Sequence, residues 1–152
     1  MLGAMATLER FLQYAADFEK TLADDDWSRL TPYFAEDAVY RVESSLFGCE
    51  LTGPEAIFAG MRKSLEGFDR HFESRDIELT KGPDVAGDEL RAAWTIHYHK
   101  PDLPDFVLHG ESLVKIPEER IVLLVDTYDE GVADAAAAWT RETGIALDPS
   151  YT

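Results

Sequence analysis

The chain has 152 residues, 45% of them hydrophobic, enough to bury a core without disulfides or a structural metal. Thirty acidic against 14 basic residues give a net charge of −16, which repels phosphate backbones and anionic lipid surfaces and argues against nucleic-acid and membrane partners. The single cysteine, Cys49, fits a reducing compartment, no apolar run approaches the ~20 residues of a bilayer span, and no basic region precedes the short apolar stretch at the N-terminus. The expectation is a cytoplasmic protein forming one domain over residues 1–152.

Leu8, Phe11, Leu12, Ala15, Phe18 and Leu22 recur at steps of three and four, the stripe of a first amphipathic helix. Asp24-Asp25-Asp26 ends it and supplies a cap for a second, short helix carrying Trp27, Leu30, Tyr33 and Phe34; capping and solvation explain this triplet better than a cation site. Residues 38–42 read as a strand, and Gly53-Pro54-Glu55 opens a third helix through Ile57, Met61, Leu65 and Phe68. From His71 the period switches to two, predicting strands over 71–80, 89–100, 106–116 and 121–129. Turn signals separate them at Lys81-Gly82-Pro83-Asp84, Pro101-Asp102-Leu103-Pro104 and Pro117-Glu118-Glu119, and residues 133–140 suit a last helix. Helices first and an antiparallel meander afterwards define an α+β fold with the helices on one sheet face.

Counting back from the last two turns pairs Ile96 with Gly110 and Ser112 with Val125. One face then carries Trp94, Ile96, Tyr98, Leu108, Gly110, Ser112, Val114, Ile121, Leu123, Val125 and Thr127; being almost wholly apolar, it should turn toward the helices. Thr95, His97, His99, His109, Glu111, Lys115, Asp126 and Tyr128 fall on the other face, toward water or a partner. His97 and His99 with His109 and Glu111 have the ligand chemistry of a transition-metal site. They lie on the outer face with no tight metal-site spacing, so a polar, dimer-forming surface is the favoured reading and no metal is expected.

Several segments together resemble a known superfamily. Trp27-Ser28-Arg29-Leu30 and Tyr33-Phe34-Ala35-Glu36-Asp37-Ala38-Val39 are similar to the opening of the nuclear transport factor two-like superfamily, and Gly53-Pro54-Glu55-Ala56-Ile57 to its third-helix entry. Lys115-Ile116, Arg120-Ile121 and Asp129 resemble the closing strands of its SnoaL-like polyketide cyclase branch. The resemblance spans residues 8–129 and implies a curved mixed or antiparallel sheet wrapped around N-terminal helices, forming a cone with an apolar cavity, and a homodimer through the outer sheet face. It carries fold better than activity.

Carried over by position, the ketosteroid isomerase pattern fails: its strand-end base falls on Val42, its helix tyrosine on Phe18, and its oxyanion-side acid near Ser112, or on Glu111 if the register slips. The scytalone dehydratase pattern matches at Tyr40 and His71, whereas its helix-borne Tyr-Asp pair falls on Leu22-Ala23. The acid–base aspartate of SnoaL-like cyclases corresponds to Asp129. The resulting expectation is a catalytic set of His71, Tyr40 and Asp129. Phe18, Val42, Trp94, Tyr98, Ser112 and Val125 would line a ligand pocket.

A histidine titrating near neutrality can take a proton α to a carbonyl while Tyr40 or Tyr98 binds the oxygen, and a desolvated Asp129 is a usable acid or base. This chemistry fits a dehydratase, isomerase or cyclase acting on a small apolar oxygenated substrate and needs no cofactor. Each residue also has a structural reading: His71 at a helix end, Tyr40 as core with its hydroxyl satisfied, Asp129 closing a strand or capping the last helix. The corresponding alternative for the whole chain is a non-catalytic ligand-binding or dimerisation module.

Overall fold

The structure, a computed structural model, describes residues 2–152. Helix α1 (Leu2–Asp24) is followed by a 3-10 helix (Trp27–Tyr33), strands β1 (Phe34–Glu43) and β2 (Cys49–Thr52), helix α2 (Pro54–Gly67), and a short 3-10 turn (Asp69–His71). Strands β3 (Ser74–Ala86), β4 (Glu89–His99), β5 (Phe106–Lys115) and β6 (Ile121–Tyr128) lead to helix α3 (Val132–Thr143). The six strands form one sheet in the order β2-β1-β6-β5-β4-β3. Only β1 and β6 run parallel; the other neighbours are antiparallel, so the α+β class with a mixed sheet is as expected. No helix among the described residues is long and apolar enough to cross a membrane.

The stripe of α1 packs as aromatic against aromatic. Tyr14 meets Tyr33 and Phe34 edge-on, with ring centroids 5.8 and 5.5 Å away, which fixes the helix over β1. The acidic triplet ends α1, but Asp26 makes no side-chain capping bond. The triplet binds side chains instead: Asp24 and, more distantly, Asp26 pair with Arg29, and Asp25 accepts from Trp27 Nε1 and from Arg70. Two core clusters result, one around Tyr14, Tyr40, Ile57 and Leu124 and one around Phe68, Tyr98, Phe106 and Trp139.

Three expectations are corrected. Lys81-Gly82-Pro83-Asp84 is not a turn: β3 runs through it, because β3 is an edge strand, where a proline's missing N–H costs no ladder bond. The chain reverses instead at Gly87-Asp88, between paired Ala86 and Glu89. Cys49 lies not in a loop but in the short edge strand β2, paired with Val42.

The third correction concerns register. On β4 and β5 the inward faces are those expected, although Ile96 pairs with Leu108 rather than Gly110. That offset of two preserves the faces. On β6, Ser112 pairs with Asp126, not Val125, and this offset of one exchanges them. The inward side chains of β6 are Leu124, Asp126 and Tyr128. The physical reason lies in the turn, where Glu118 (φ 52°) and Glu119 (φ 68°) both adopt left-handed conformations and lengthen the connection by a residue. Nothing in two glutamates signals that geometry, which L-residues rarely adopt.

Candidate active site

Members of both core clusters line one cavity of about 470 Å³. Its floor is the inner face of the sheet: Tyr40 from β1, Leu124, Asp126 and Tyr128 from β6, Leu108 and Ser112 from β5, Trp94, Ile96 and Tyr98 from β4. Phe11, Tyr14 and Phe18 of α1 and Met61 and Leu65 of α2 cover it. Leu12, Ile77 and Leu79 line the cavity yet stay about half exposed, at 50%, 48% and 49%, so they mark a mouth between α1 and the edge strand β3.

Within this apolar space lies one connected polar group. Trp94 Nε1 donates to Ser112 Oγ (2.9 Å), Ser112 Oγ donates to Asp126 Oδ1 (2.6 Å), and the Tyr40 hydroxyl donates to Asp126 Oδ2 (2.9 Å). The Tyr151 hydroxyl lies 3.3 Å from that of Tyr40. Burial pushes the Asp126 carboxyl above the ordinary aspartate range, and the bonds from Ser112 and Tyr40 only partly oppose this. The same burial holds Tyr40 and Tyr128 well above ordinary tyrosine values, so both remain neutral hydrogen-bonding phenols. Tyr128 is two residues from Asp126 on the same strand face, about 6.6 Å along the chain. Its ring is held edge-on by Phe47 (4.9 Å) and Trp94 (5.3 Å), and its hydroxyl makes no hydrogen bond among the described residues.

A second polar group closes another part of the wall. Arg75 of β3 pairs with Asp69 (3.2 Å) and Glu19 of α1 (3.0 Å), and the Tyr98 hydroxyl donates to Asp69 (3.2 Å). The Arg75 and Asp69 side chains are only 11% and 10% exposed. Burial outweighs the pull of Arg75 and Tyr98, leaving the Asp69 carboxyl above its usual range. With every contact satisfied by a partner in the wall except the enclosed Arg75 Nε, this group reads as a clasp between α1 and the sheet.

Of the residues singled out by sequence, the structure brings Tyr40, Phe18, Trp94, Tyr98 and Ser112 to the cavity. Val42 shares the face of Tyr40 but is packed in the core, and Val125 points to the opposite side of β6 from Asp126. His71 is exposed at the end of its 3-10 turn, where Lys100 Nζ donates to its carbonyl (2.8 Å). Asp129 is exposed beyond β6: its amide donates to the His109 carbonyl, and its own carbonyl receives the Val132 amide. Neither joins Tyr40. On the outer face, Thr95 Oγ1 and His109 Nδ1 lie 2.8 Å apart and His99 pairs with Asp105; among the described residues no three His, Cys, Asp or Glu side chains are grouped to hold a metal ion. Burial pushes the Cys49 thiol up to about 11, away from nucleophilic chemistry.

Sequence reasoning missed Asp126, Tyr128 and Tyr151. A carboxylate directly after the apolar run from Ile121 to Val125 and still within the strand was the available signal for Asp126. Tyr151 had none, since it lies beyond the last helix in a stretch without periodicity.

A family model for the SnoaL-like domain matches residues 15–124. The chain belongs to that family. No curated protein matches this SnoaL-like domain. Among solved structures, one described as a SnoaL-like polyketide cyclase from Jannaschia sp. CCS1 superposes with a TM-score of 0.69 at 12% identity, over 96% of this chain and 97% of that one. A second so described, from Shewanella denitrificans OS-217, gives 0.61 at 18% identity, over 86% and 96%. A LEH-like epoxide hydrolase from M. tuberculosis gives 0.57 at 18% identity, over 88% and 92%. At these identities the likeness concerns the fold. The matched stretch holds Tyr40 and Ser112 and stops before Asp126, Tyr128 and Tyr151.

Proposed function

We propose that this SnoaL-like domain is a cofactor-independent acid–base enzyme that moves a proton on a small, largely apolar oxygenated substrate. The observation that carries the reading is Asp126: a carboxyl enclosed in an apolar cavity, oriented by Ser112 and Tyr40, with its proton affinity raised by burial. A raised carboxyl carries a proton closer to neutral pH, where a general acid or base is most effective. Ionised Asp126 takes a proton from the carbon next to a substrate carbonyl, and neutral Tyr128 on the same face donates to the oxygen as negative charge develops there. The protonated carboxyl then returns the proton at another position or to a leaving hydroxyl. Isomerisation, dehydration and aldol-type ring closure all share this first step.

The test is hydrogen–deuterium exchange at the α-carbon of a panel of small cyclic ketones in D₂O, followed by proton NMR. Wild-type protein is expected to accelerate exchange of at least one ketone, and Asp126→Asn to lose at least about 100-fold of it. No acceleration across the panel, or full activity in Asp126→Asn, overturns the reading. Ketone-dependent thermal stabilisation without exchange would leave a binding module.

A further inference from the structure

Residues 144–152 form no helix or strand, yet they run along α2 in a defined seat. The Asp148 amide donates to the Gly67 carbonyl (3.0 Å), Ser64 Oγ donates to the Pro149 carbonyl (2.8 Å), and Lys63 Nζ donates to Ser150 Oγ (2.6 Å). The seat exists because α2 has two glycines seven residues apart, on the same helix face. A Cβ on Gly67 would overlap the Asp148 carbonyl oxygen, and one on Gly60 would overlap Leu51 Cδ1 of β2 and lie 3.1 Å from the Tyr151 carbonyl oxygen. Glycine is a poorer helix former than alanine, so two of them under one segment mark a position where its backbone approaches the helix closely. What the segment delivers is Tyr151, with its ring edge-on to Tyr40 at 5.7 Å and lining the cavity beside Pro149.

Tyr40 owns one proton, and the shorter contact, to ionised Asp126, claims it. The 3.3 Å contact is then donated by Tyr151 to the Tyr40 oxygen. When Asp126 is protonated, one of its two donors must turn round. Ser112 is held by Trp94 and has no other acceptor among the described residues. Tyr40 does have one, the Tyr151 oxygen, so Asp126 donates to Tyr40 and Tyr40 donates to Tyr151.

We propose that segment 144–152 is a working part of the site: it seats Tyr151 as the outer member of a relay, Asp126–Tyr40–Tyr151, whose direction reverses when Asp126 gains or loses its proton. Tyr151 is thus a positioning residue acting through Tyr40. The idea builds on the acid–base reading of Asp126, but its readout is titration, so a protein inactive on every ketone still passes or fails it.

The groups that act most directly on Asp126 are Tyr14 on α1, Tyr40 on β1, Cys49 on β2, Tyr128 on β6 and Tyr151, all raised by burial and uncharged in acid. The same cavity wall also holds Asp69, Arg75 and Glu19, so the Asp69 carboxyl signal is followed alongside, and a step of Asp126 that does not coincide with the Asp69 step reports its own proton. Carbon-detected NMR of protein labelled at the aspartate carboxyl follows that step in wild type, Tyr151→Phe, Gly67→Ala and Ser150→Ala. Tyr151→Phe keeps the wall and removes only the hydroxyl. The protonated form then leaves the Tyr40 proton without an acceptor, so the midpoint should fall by about one pH unit. Gly67→Ala should shift it the same way by unseating the segment, and Ser150→Ala, which removes only the Lys63 bond at the exposed end of the seat, should shift it less than Gly67→Ala does. An unchanged or raised midpoint in Tyr151→Phe overturns the relay, and an unchanged one in Gly67→Ala overturns the seat. If Gly67→Ala does not fold, Ser64→Ala, which removes the bond to the Pro149 carbonyl, supplies the same reading.

Discussion

Replacing Tyr40 by phenylalanine isolates the bond on which the site turns. The ring is 3% exposed and stays in place, so the change removes one hydroxyl and little packing. That hydroxyl donates to Asp126 at 2.9 Å, and a bond to an ionised group inside a protein is worth roughly 1.5–3 kcal/mol. Its loss leaves the enclosed carboxylate with Ser112 as its one donor among the described residues. The expected cost is about 2–3 kcal/mol at about pH 7, a fall of roughly 5–10 °C in Tm for a chain of this size. The sign of the pH dependence follows. Tyr40 stabilises the charged form, so Tyr40→Phe raises the Asp126 carboxyl further, and the gap between variant and wild type narrows as acid protonates it. At about pH 4 the cost should be near 1 kcal/mol, the value of a neutral bond. Urea unfolding at the two pH values measures both quantities. Equal losses at the two pH values, or a loss below about 0.5 kcal/mol at neutrality, would refute the placement of Asp126 as a buried, Tyr40-bound carboxylate.

Asp126→Asn tests the same group through linkage. A folded-state carboxyl raised above its unfolded value contributes stability that is complete below the unfolded pKa and lost as pH rises through the folded one. The asparagine variant should therefore gain stability on wild type as the pH climbs from about 4 to 7, in a thermal-unfolding series, and a constant difference would contradict this. Arg75→Met strands Asp69 in the wall with Tyr98 alone and should cost about 3 kcal/mol in urea unfolding; a loss under about 1 kcal/mol would show the clasp to be solvated.

How far the sequence revealed the site depended on what fixed each face. The stripe from Leu8 to Leu22 and the alternation in β4 and β5 have one apolar side, so burial leaves a single choice, and Trp94, Tyr98 and Ser112 were legible. Strand β6 is apolar on both sides from Ile121 to Val125, so burial could not select a face and a one-residue error in the turn decided everything. That error sent Asp126 and Tyr128 outward and made Val125 a pocket residue. His71 and Asp129 rest on positional resemblance alone, with no periodicity to fix where they lie, and both stand exposed outside the cavity. Tyr151 was beyond reach because its place depends on two glycines in α2, more than eighty residues earlier, and on hydrogen bonds made by backbone.

The half-exposed rim of Leu12, Ile77 and Leu79 has a bearing on which molecules ever arrive. It is a greasy doorway, with Glu19 paired to Arg75 in the cavity wall, in a shell that carries sixteen excess negative charges. An approaching anion meets a repulsive field before it can touch the apolar threshold, whereas an uncharged molecule feels only the threshold. If the cavity takes substrate as proposed, carboxylates and phosphates should be disfavoured on the way in, before any contact with Asp126. This bias should fade as added salt shortens the reach of the field, leaving entry of neutral compounds unaltered.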